Sequence, residues 1–175
     1  MSKWIVSLMI MVFNIDIKLN KVNFNHRGGT KYMENKLNKL LADLVVEYHK
    51  LQNFHWYVKG KDFFAAHAKL EEFYDYINEA VDEVAENILM VGGSPKASLK
   101  AYLELAEIKE ADEDHKKVKD IYKDVLADFS YLLASVKDIK AAADEESNYL
   151  ISSLMDEYIK QFSKSIWMIR QVVED

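Results

Sequence analysis

The sequence contains no cysteine, and it has only one proline and five glycines in 175 residues. Without cysteine there is neither a disulfide nor a thiolate ligand, so any metal must be held by His, Asp and Glu. The scarcity of helix-breaking residues, with half of the chain hydrophobic, favours an all-helical protein. The absence of cysteine also fits a reducing compartment, and we expect a cytoplasmic protein.

Long hydrophobic runs are also absent. The apolar run Trp4–Phe13 is ten residues long, whereas a helix needs about 20 to span a bilayer. One lysine precedes this run, as in a signal peptide, but no cleavage site of small residues follows it. We therefore expect no membrane association. No glycine-rich phosphate-binding loop and no nucleophile motif is present either.

Charge is distributed unevenly along the chain. The formal net charge is −6, but residues 1–32 hold five Lys and Arg against one Asp, which leaves −10 for residues 33–175. An acidic body repels the phosphate backbone, so we expect no DNA binding by residues 33–175. An acidic surface suits a protein that gathers cations.

Residues 1–32 form an atypical N-terminal extension whose pattern differs from that of the remainder. Its apolar run is followed by strand-like alternation and by the breaker Arg27–Gly29. The string Arg27–Met33 is also what a ribosome-binding sequence and spacer before a start codon would encode. Residues 1–32 are therefore either native or an in-frame leader that precedes a start at Met33.

From Met33 onward, hydrophobic residues recur with the i, i+3, i+4 spacing of amphipathic helices. This pattern predicts four long helices and one short helix in the linker around Pro95. The expected ranges are about 34–58, 62–92, 98–104 (the short helix), 113–141 and 144–173. The sequence thus predicts an all-α fold, a ferritin-like four-helix bundle at 33–175 with one long crossover that carries a short helix.

Potential metal ligands lie on the first two long helices. His55 continues the hydrophobic stripe of its helix. On the next helix, His67 and Glu71 are four residues apart and share a face, as do Asp82 and Glu86. Imidazole and carboxylate bind iron, manganese or zinc. The alternatives are a hydrogen-bonded core histidine and a solvated acidic face.

One chain cannot bring both pairs to a single metal, because His67 and Asp82 are fifteen residues apart, about 22 Å along a helix. Two copies of the helix that cross antiparallel on a two-fold axis near Tyr76 would solve this. In such a crossing, two residues that face each other across the axis have numbers that always add to the same total. His67 with Glu86, and Glu71 with Asp82, meet this condition. Such a dimer has two equivalent sites, and His55 could close each of them.

Five motifs in one register, within about residues 36–173, resemble the Dps family, the miniferritin branch of the ferritin superfamily. They are Asn53–Gly60 (NFHWYVKG), Phe63–His67 (FFAAH), Asp82–Glu86 (DEVAE), Gly92–Pro95 (GGSP) and Ile166–Met168 (IWM). The resemblance implies a site between subunits that oxidises Fe(II). Its ligands would be His55, His67 and Glu71 of one chain with Asp82 and Glu86 of its mate. The family usually has Asp at the position of Glu71.

The resemblance also implies a homo-oligomer, a hollow shell of twelve subunits that stores Fe(III) mineral and uses hydrogen peroxide as the oxidant. Trp56 and Trp167 match positions that the family places near the site, either as electron donors or as ordinary core aromatics. Asp144, Glu145 and Glu146 are candidates for acidic three-fold pores at the start of the last helix. The favourable dipole of a helix N-terminus would explain these acids equally well.

A second hypothesis is a shell that coats DNA or another surface and has little catalytic activity. Family members that bind DNA often use a lysine-rich terminal tail. Here only residues 1–32 are basic, and the chain ends in Glu174–Asp175. This hypothesis therefore depends on whether the N-terminal extension belongs to the protein.

Overall fold

The structure is a computed structural model that describes residues 27–174. Within them lie five helices and one two-residue pair of parallel strands. In chain order these are α1 (Arg27–Tyr57), β1 (Val58–Lys59), α2 (Phe63–Met90), α3 (Leu99–Leu105), β2 (Lys116–Lys117), α4 (Val118–Glu145) and α5 (Tyr149–Val173). Helix α1 packs on α2, α4 packs on α5, and α1 also contacts α4. The predicted four-helix bundle with a short helix in its crossover is confirmed.

Several predicted boundaries were wrong by a few residues. Helix α1 begins at Arg27 rather than near Glu34 and continues through the pair Gly28–Gly29 that we read as a breaker. Helix α4 begins at Val118 rather than near Glu113, because Lys116–Lys117 pair with β1 before the helix starts. Helix α1 crosses the proposed boundary between residues 32 and 33. Residues 1–26 lie outside the described residues, so the origin of the extension stays a prediction.

Aromatic side chains join the two halves of the bundle. Phe73 of α2 packs edge-on against Phe129 of α4, with ring centroids 5.2 Å apart. Phe129 in turn packs against Phe162 of α5 at 5.4 Å. Edge-on pairs of this kind stabilise a core beyond the area that they bury. None of the helices in the described part of the chain is long and apolar enough to cross a membrane.

Two polar side chains of α1 hold the crossover in place. The Asn38 side chain donates to the carbonyl of Ser94 at 3.1 Å and accepts from the amide of Lys96 at 2.7 Å. The buried Asp43 carboxylate accepts from the amides of Glu107 and Ile108 at 2.7 and 3.1 Å. It also accepts from the Tyr131 hydroxyl at 2.7 Å. Asp43 is therefore a buried acid with its hydrogen bonds satisfied.

Glu47, one turn further along α1, has a very different environment. It is fully buried, and neither carboxylate oxygen receives a hydrogen bond from a donor among residues 31–174. It faces Asp128 of α4, which forms an ion pair with Lys50 at 2.5 Å. Burial, followed by the charge of Asp128, raises the pKa of Glu47 well above its usual value. The Glu47 carboxyl therefore keeps its proton to a higher pH than an exposed glutamate does.

Candidate metal centre

Two histidines meet where α1 turns back into α2. The turn between the helices contains Gly60 at a φ of 125°, a conformation that L side chains rarely adopt. Nδ1 of His55 lies 2.9 Å from the carbonyl oxygen of His67, and Nδ1 of His67 lies 2.9 Å from the carbonyl oxygen of His55. The two rings stack with centroids 3.6 Å apart and planes inclined by 21°. Each residue thus fixes the ring of the other.

These reciprocal contacts determine the tautomer of both rings. A ring nitrogen that faces a carbonyl oxygen must carry the proton and donate it. In the neutral imidazole the other nitrogen, Nε2, then has a free lone pair, which is the arrangement found in histidines that bind metals. The two Nε2 atoms are therefore left available to bind a metal.

Aromatic neighbours support the histidine pair. Phe63 stacks on His67 with centroids 5.0 Å apart, and Tyr74 packs edge-on against His55 at 5.4 Å. His55 is only 8% exposed, and His67 is half-buried. The pair is therefore held from several sides by α1 and α2.

Glu71 lies one helical turn after His67 and is exposed. The Tyr74 hydroxyl donates a hydrogen bond to Glu71 Oε1 at 3.3 Å. Burial, followed by the negative charge of Glu71, raises the pKa of Tyr74. Tyr74 therefore keeps its proton at neutral pH and remains a donor. The sequence motifs did not identify Tyr74 as part of the site, although a tyrosine three positions after a candidate ligand on one helix was a usable signal.

Asp82 and Glu86 lie further along α2 and are exposed. Residues 31–174 of a single chain contain no group of three or more His, Asp or Glu side chains arranged to hold a metal ion. One chain therefore brings together the two histidines with Glu71 one turn away, and it leaves Asp82 and Glu86 apart. That a second chain completes the site stays a prediction.

Two exposed hydrophobic side chains near the ends of α2 fit the same two-fold axis. Phe64, near the start of α2, has a side chain that is 86% exposed. Leu89, near the other end of α2, is 59% exposed. The numbers 64 and 89 have the same sum as those of the proposed ligand pairs. The predicted axis would therefore place these two exposed hydrophobic side chains opposite each other.

The remaining candidate residues lie outside this cluster. Trp56 and Trp167 are 64% and 62% exposed, so neither belongs to the core of the single-chain bundle. Asp144, Glu145 and Glu146 lie at the end of α4, not at the start of the last helix, which begins at Tyr149 with Asn148 as its N-cap. The explanation of these acids by a helix N-terminus was therefore wrong.

Asp144 is already engaged within its own chain. Its carboxylate accepts from the Ser152 hydroxyl at 2.5 Å and lies 3.6 Å from Nζ of Lys140. Lys140 also donates to Asp156 at 3.0 Å. Acids at a helix C-terminus are unfavourable because of the helix dipole, and Lys140 offsets this for Asp144. Glu145 and Glu146 are exposed. A pore formed by these three acids stays a prediction.

Comparison with known proteins places the chain in a family. A model described as Ferritin, a ferritin-like domain, matches residues 34–175. The DNA protection during starvation protein of Helicobacter pylori J99 is 35% identical over 133 residues, which cover 76% of this chain and 92% of that protein. The Brevibacillus brevis protein of the same name is 38% identical over 138 residues, covering 79% and 92%.

Solved structures of other proteins are similar to this chain as well. Antigen TpF1 of Treponema pallidum superposes with a TM-score of 0.83 at 30% identity, covering 85% of this chain and 96% of that one. The Dps protein of Vibrio cholerae O1, described as a member of a broad superfamily of ferritin-like diiron-carboxylate proteins, gives a TM-score of 0.80 at 35% identity, with 83% and 91% covered. Together with the bundle and its histidine pair, these similarities show that the chain belongs to the Dps family of ferritin-like proteins.

Proposed function

We propose that this protein oxidises Fe(II) at two equivalent sites in each dimer and stores the Fe(III) product inside a closed homo-oligomeric shell. One observation carries the proposal. The two stacked imidazoles present free Nε2 atoms at one end of α2, and the acids at its other end occupy the positions that a two-fold axis would bring to them. The description of the Vibrio cholerae relative as diiron-carboxylate supports this proposal.

Iron is the substrate of this reaction, and its ligands favour the change of oxidation state. Neutral imidazoles from His55 and His67 bind Fe(II) without adding charge. Carboxylates of Glu71, with Asp82 and Glu86 of the second chain, stabilise the higher charge of Fe(III). In the single chain these acids are exposed, so bringing them together on the axis without a cation would be repulsive.

We propose hydrogen peroxide as the oxidant. Two Fe(II) ions each give one electron to one peroxide, the O–O bond breaks, and two protons are taken up to form two water molecules. Consuming the peroxide by two electrons at once avoids the release of a hydroxyl radical. The names of the relatives, which refer to DNA protection during starvation, fit a role against oxidative damage.

The test is an anaerobic titration of the assembled protein with Fe(II), followed by addition of peroxide while ferric absorbance is recorded. In the anaerobic titration we expect Fe(II) binding to saturate at a fixed number of ions per dimer. After peroxide is added, ferric absorbance should rise fast, with two iron atoms oxidised for each peroxide consumed. A protein that binds no Fe(II) before the oxidant is added would contradict the proposal.

The proposed dimer predicts a result for the exposed face of α2. Phe64→Lys places a cation against Leu89 of the partner at both ends of the interface, so we expect this variant to lose the dimer and the iron oxidation together. Light scattering measures the mass against the chain mass of 20.4 kDa. Phe64→Leu, which keeps an apolar contact, is the control and should assemble.

A pair of oppositely charged substitutions tests whether residues 64 and 89 contact each other across the interface. Leu89→Glu should also prevent assembly by itself. A mixture of the Phe64→Lys and Leu89→Glu chains should form heterodimers, because one end then pairs Lys with Glu and the other keeps the original Phe and Leu. If each single variant assembled normally, Phe64 and Leu89 would not lie in the interface and the axis would be misplaced.

The DNA-coating hypothesis makes a different prediction. A protein that starts at Met33, a buried residue of α1, keeps the acidic body and loses the basic extension. We expect it to give no gel shift with duplex DNA at near-physiological salt, with iron oxidation unchanged. The few cations of the extension are repeated on every subunit, so the full chain should bind DNA weakly through many contacts. Because such contacts are lost as salt rises, the shift should appear only at low salt. A salt-resistant complex of the Met33 form would favour DNA coating as the main function.

A further inference from the structure

Glu71 differs from the other two groups of its half-site. The rings of His55 and His67 are fixed by backbone carbonyls at 2.9 Å. The Glu71 carboxylate is exposed at the end of a side chain with three rotatable bonds. Its contact with a described neighbour is the hydrogen bond from the Tyr74 hydroxyl at 3.3 Å. The placement of this carboxylate therefore depends on the tyrosine.

Tyr74 is itself held in place by α1. Its ring packs edge-on against His55, with centroids 5.4 Å apart and planes at 89°. The ring of Tyr48 packs against it in the same manner, at 6.0 Å and 83°. Tyr48 is fixed in turn because its hydroxyl accepts a hydrogen bond from the Gln52 side chain at 2.9 Å. The Tyr74 hydroxyl is thus presented to Glu71 at a defined point.

We propose that Tyr74 is the positioning residue of this site, which orients the Glu71 carboxylate toward the cation that His55 and His67 bind. One side chain contacts a histidine with its ring and the acid with its hydroxyl, so it links the imidazole and carboxylate parts of the half-site. This inference rests on the proposed function, because it assumes that Glu71 is a ligand. Groups that orient metal ligands typically change metal affinity 10- to 100-fold when they are removed.

Cobalt(II) is a suitable probe, because it takes imidazole and carboxylate ligands and is not oxidised under the conditions of a binding titration. We expect Tyr74→Phe, which keeps the ring and loses the hydroxyl, to weaken Co(II) binding to the assembled protein about 10-fold by calorimetry. In iron oxidation the same variant should raise KM for Fe(II) more than it lowers kcat. Tyr32→Phe is the matched control, because this tyrosine is exposed near the start of α1 and its ring lies against Lys36, away from the histidines. Its Co(II) affinity should stay within about two-fold of that of the unsubstituted protein.

A double-mutant cycle separates orientation of Glu71 from a general effect on the fold. The shorter side chain of Glu71→Asp no longer reaches Tyr74, so adding Tyr74→Phe to it should change Co(II) affinity less than about two-fold. An equal 10-fold loss in both backgrounds would overturn the inference, as would unchanged affinity in Tyr74→Phe alone. Failure of the unsubstituted protein to bind Co(II) would overturn the proposed metal site and this inference with it.

Discussion

His67→Ala and Asp82→Ala are each expected to abolish fast peroxide-dependent iron oxidation, although the two residues lie about 22 Å apart on one helix. The reason is that each variant removes a ligand from both sites of the symmetric dimer. The measurement is the initial rate of ferric absorbance after peroxide is added to the Fe(II)-loaded protein. His49→Ala, which removes an exposed histidine outside the cluster, is the control and should keep the full rate.

Co-assembly of the two inactive variants gives the most informative result. In random mixing half of the dimers contain one chain of each kind, and each such dimer has one site with both ligands intact. We therefore expect about a quarter of the original activity to return. A mixture of His67→Ala with Glu71→Ala should recover nothing, because both changes lie in the same half of the site. No recovery in the first mixture, or equal recovery in both, would argue against sites shared between chains.

The second large effect is expected at Glu47, the buried acid of α1 described above. Glu47→Leu removes a buried acid whose oxygens receive no hydrogen bond from the described donors, and it leaves the ion pair of Lys50 and Asp128 in place. We expect the free energy of unfolding at neutral pH to rise by about 1–3 kcal/mol, which corresponds to several degrees in Tm. Denaturant and thermal unfolding of the two proteins measure this difference.

The sign of the pH dependence follows from the direction of the pKa shift. The pKa of Glu47 is raised in the folded protein from its usual value of 4.5, so between the two values the folded state binds more protons than the unfolded state. The contribution of Glu47 to stability is therefore greatest below the unfolded pKa and falls as pH rises toward the folded pKa. The advantage of Glu47→Leu over the original protein should grow across the same interval.

Asp43 supplies the matched control for Glu47, one turn away on α1. Its carboxylate accepts three hydrogen bonds, so Asp43→Asn places an amide donor against groups that already donate. We expect this variant to be less stable, not more. A loss of stability in Glu47→Leu like that in Asp43→Asn would mean that the Glu47 carboxyl makes stabilising contacts after all.

Hydrophobic spacing predicted the four long helices, because a helical stripe that faces a core recurs with the helical period wherever it lies. The same spacing could not assign Phe64. A hydrophobic residue at the edge of a stripe fits an internal contact or an external one, and only the packing of α1 on α2 shows that Phe64 faces outward. Helix ends were misplaced where a non-local contact decides them, as the pairing of Lys116 with Val58 does at the start of α4.

The histidine cluster was partly predictable. Residue type and spacing identified His55 and His67 as candidates, but the reciprocal bonds between their rings and backbones depend on the turn at Gly60. A one-dimensional pattern contains no information about that turn geometry. Asp144 illustrates the opposite case. Its position among three consecutive acids suggested a pore or a helix N-terminus, whereas Lys140 and Ser152 engage it from the same helix and from the next one.

The locked histidine rings have a kinetic consequence. A ring whose Nδ1–H is bound to a backbone carbonyl cannot swing away without breaking that bond, so the imidazole side of the site is immobile. The Glu71 carboxylate, at the end of three rotatable bonds and with a hydrogen bond of 3.3 Å from Tyr74, is less firmly fixed than the two rings. Exchange of ions should therefore take place on the carboxylate side. Fe(III) prefers oxygen ligands more strongly than Fe(II) does. Oxidation should therefore weaken binding by the two imidazoles relative to the carboxylates, and we expect the Fe(III) ion to leave from the carboxylate side of the proposed site.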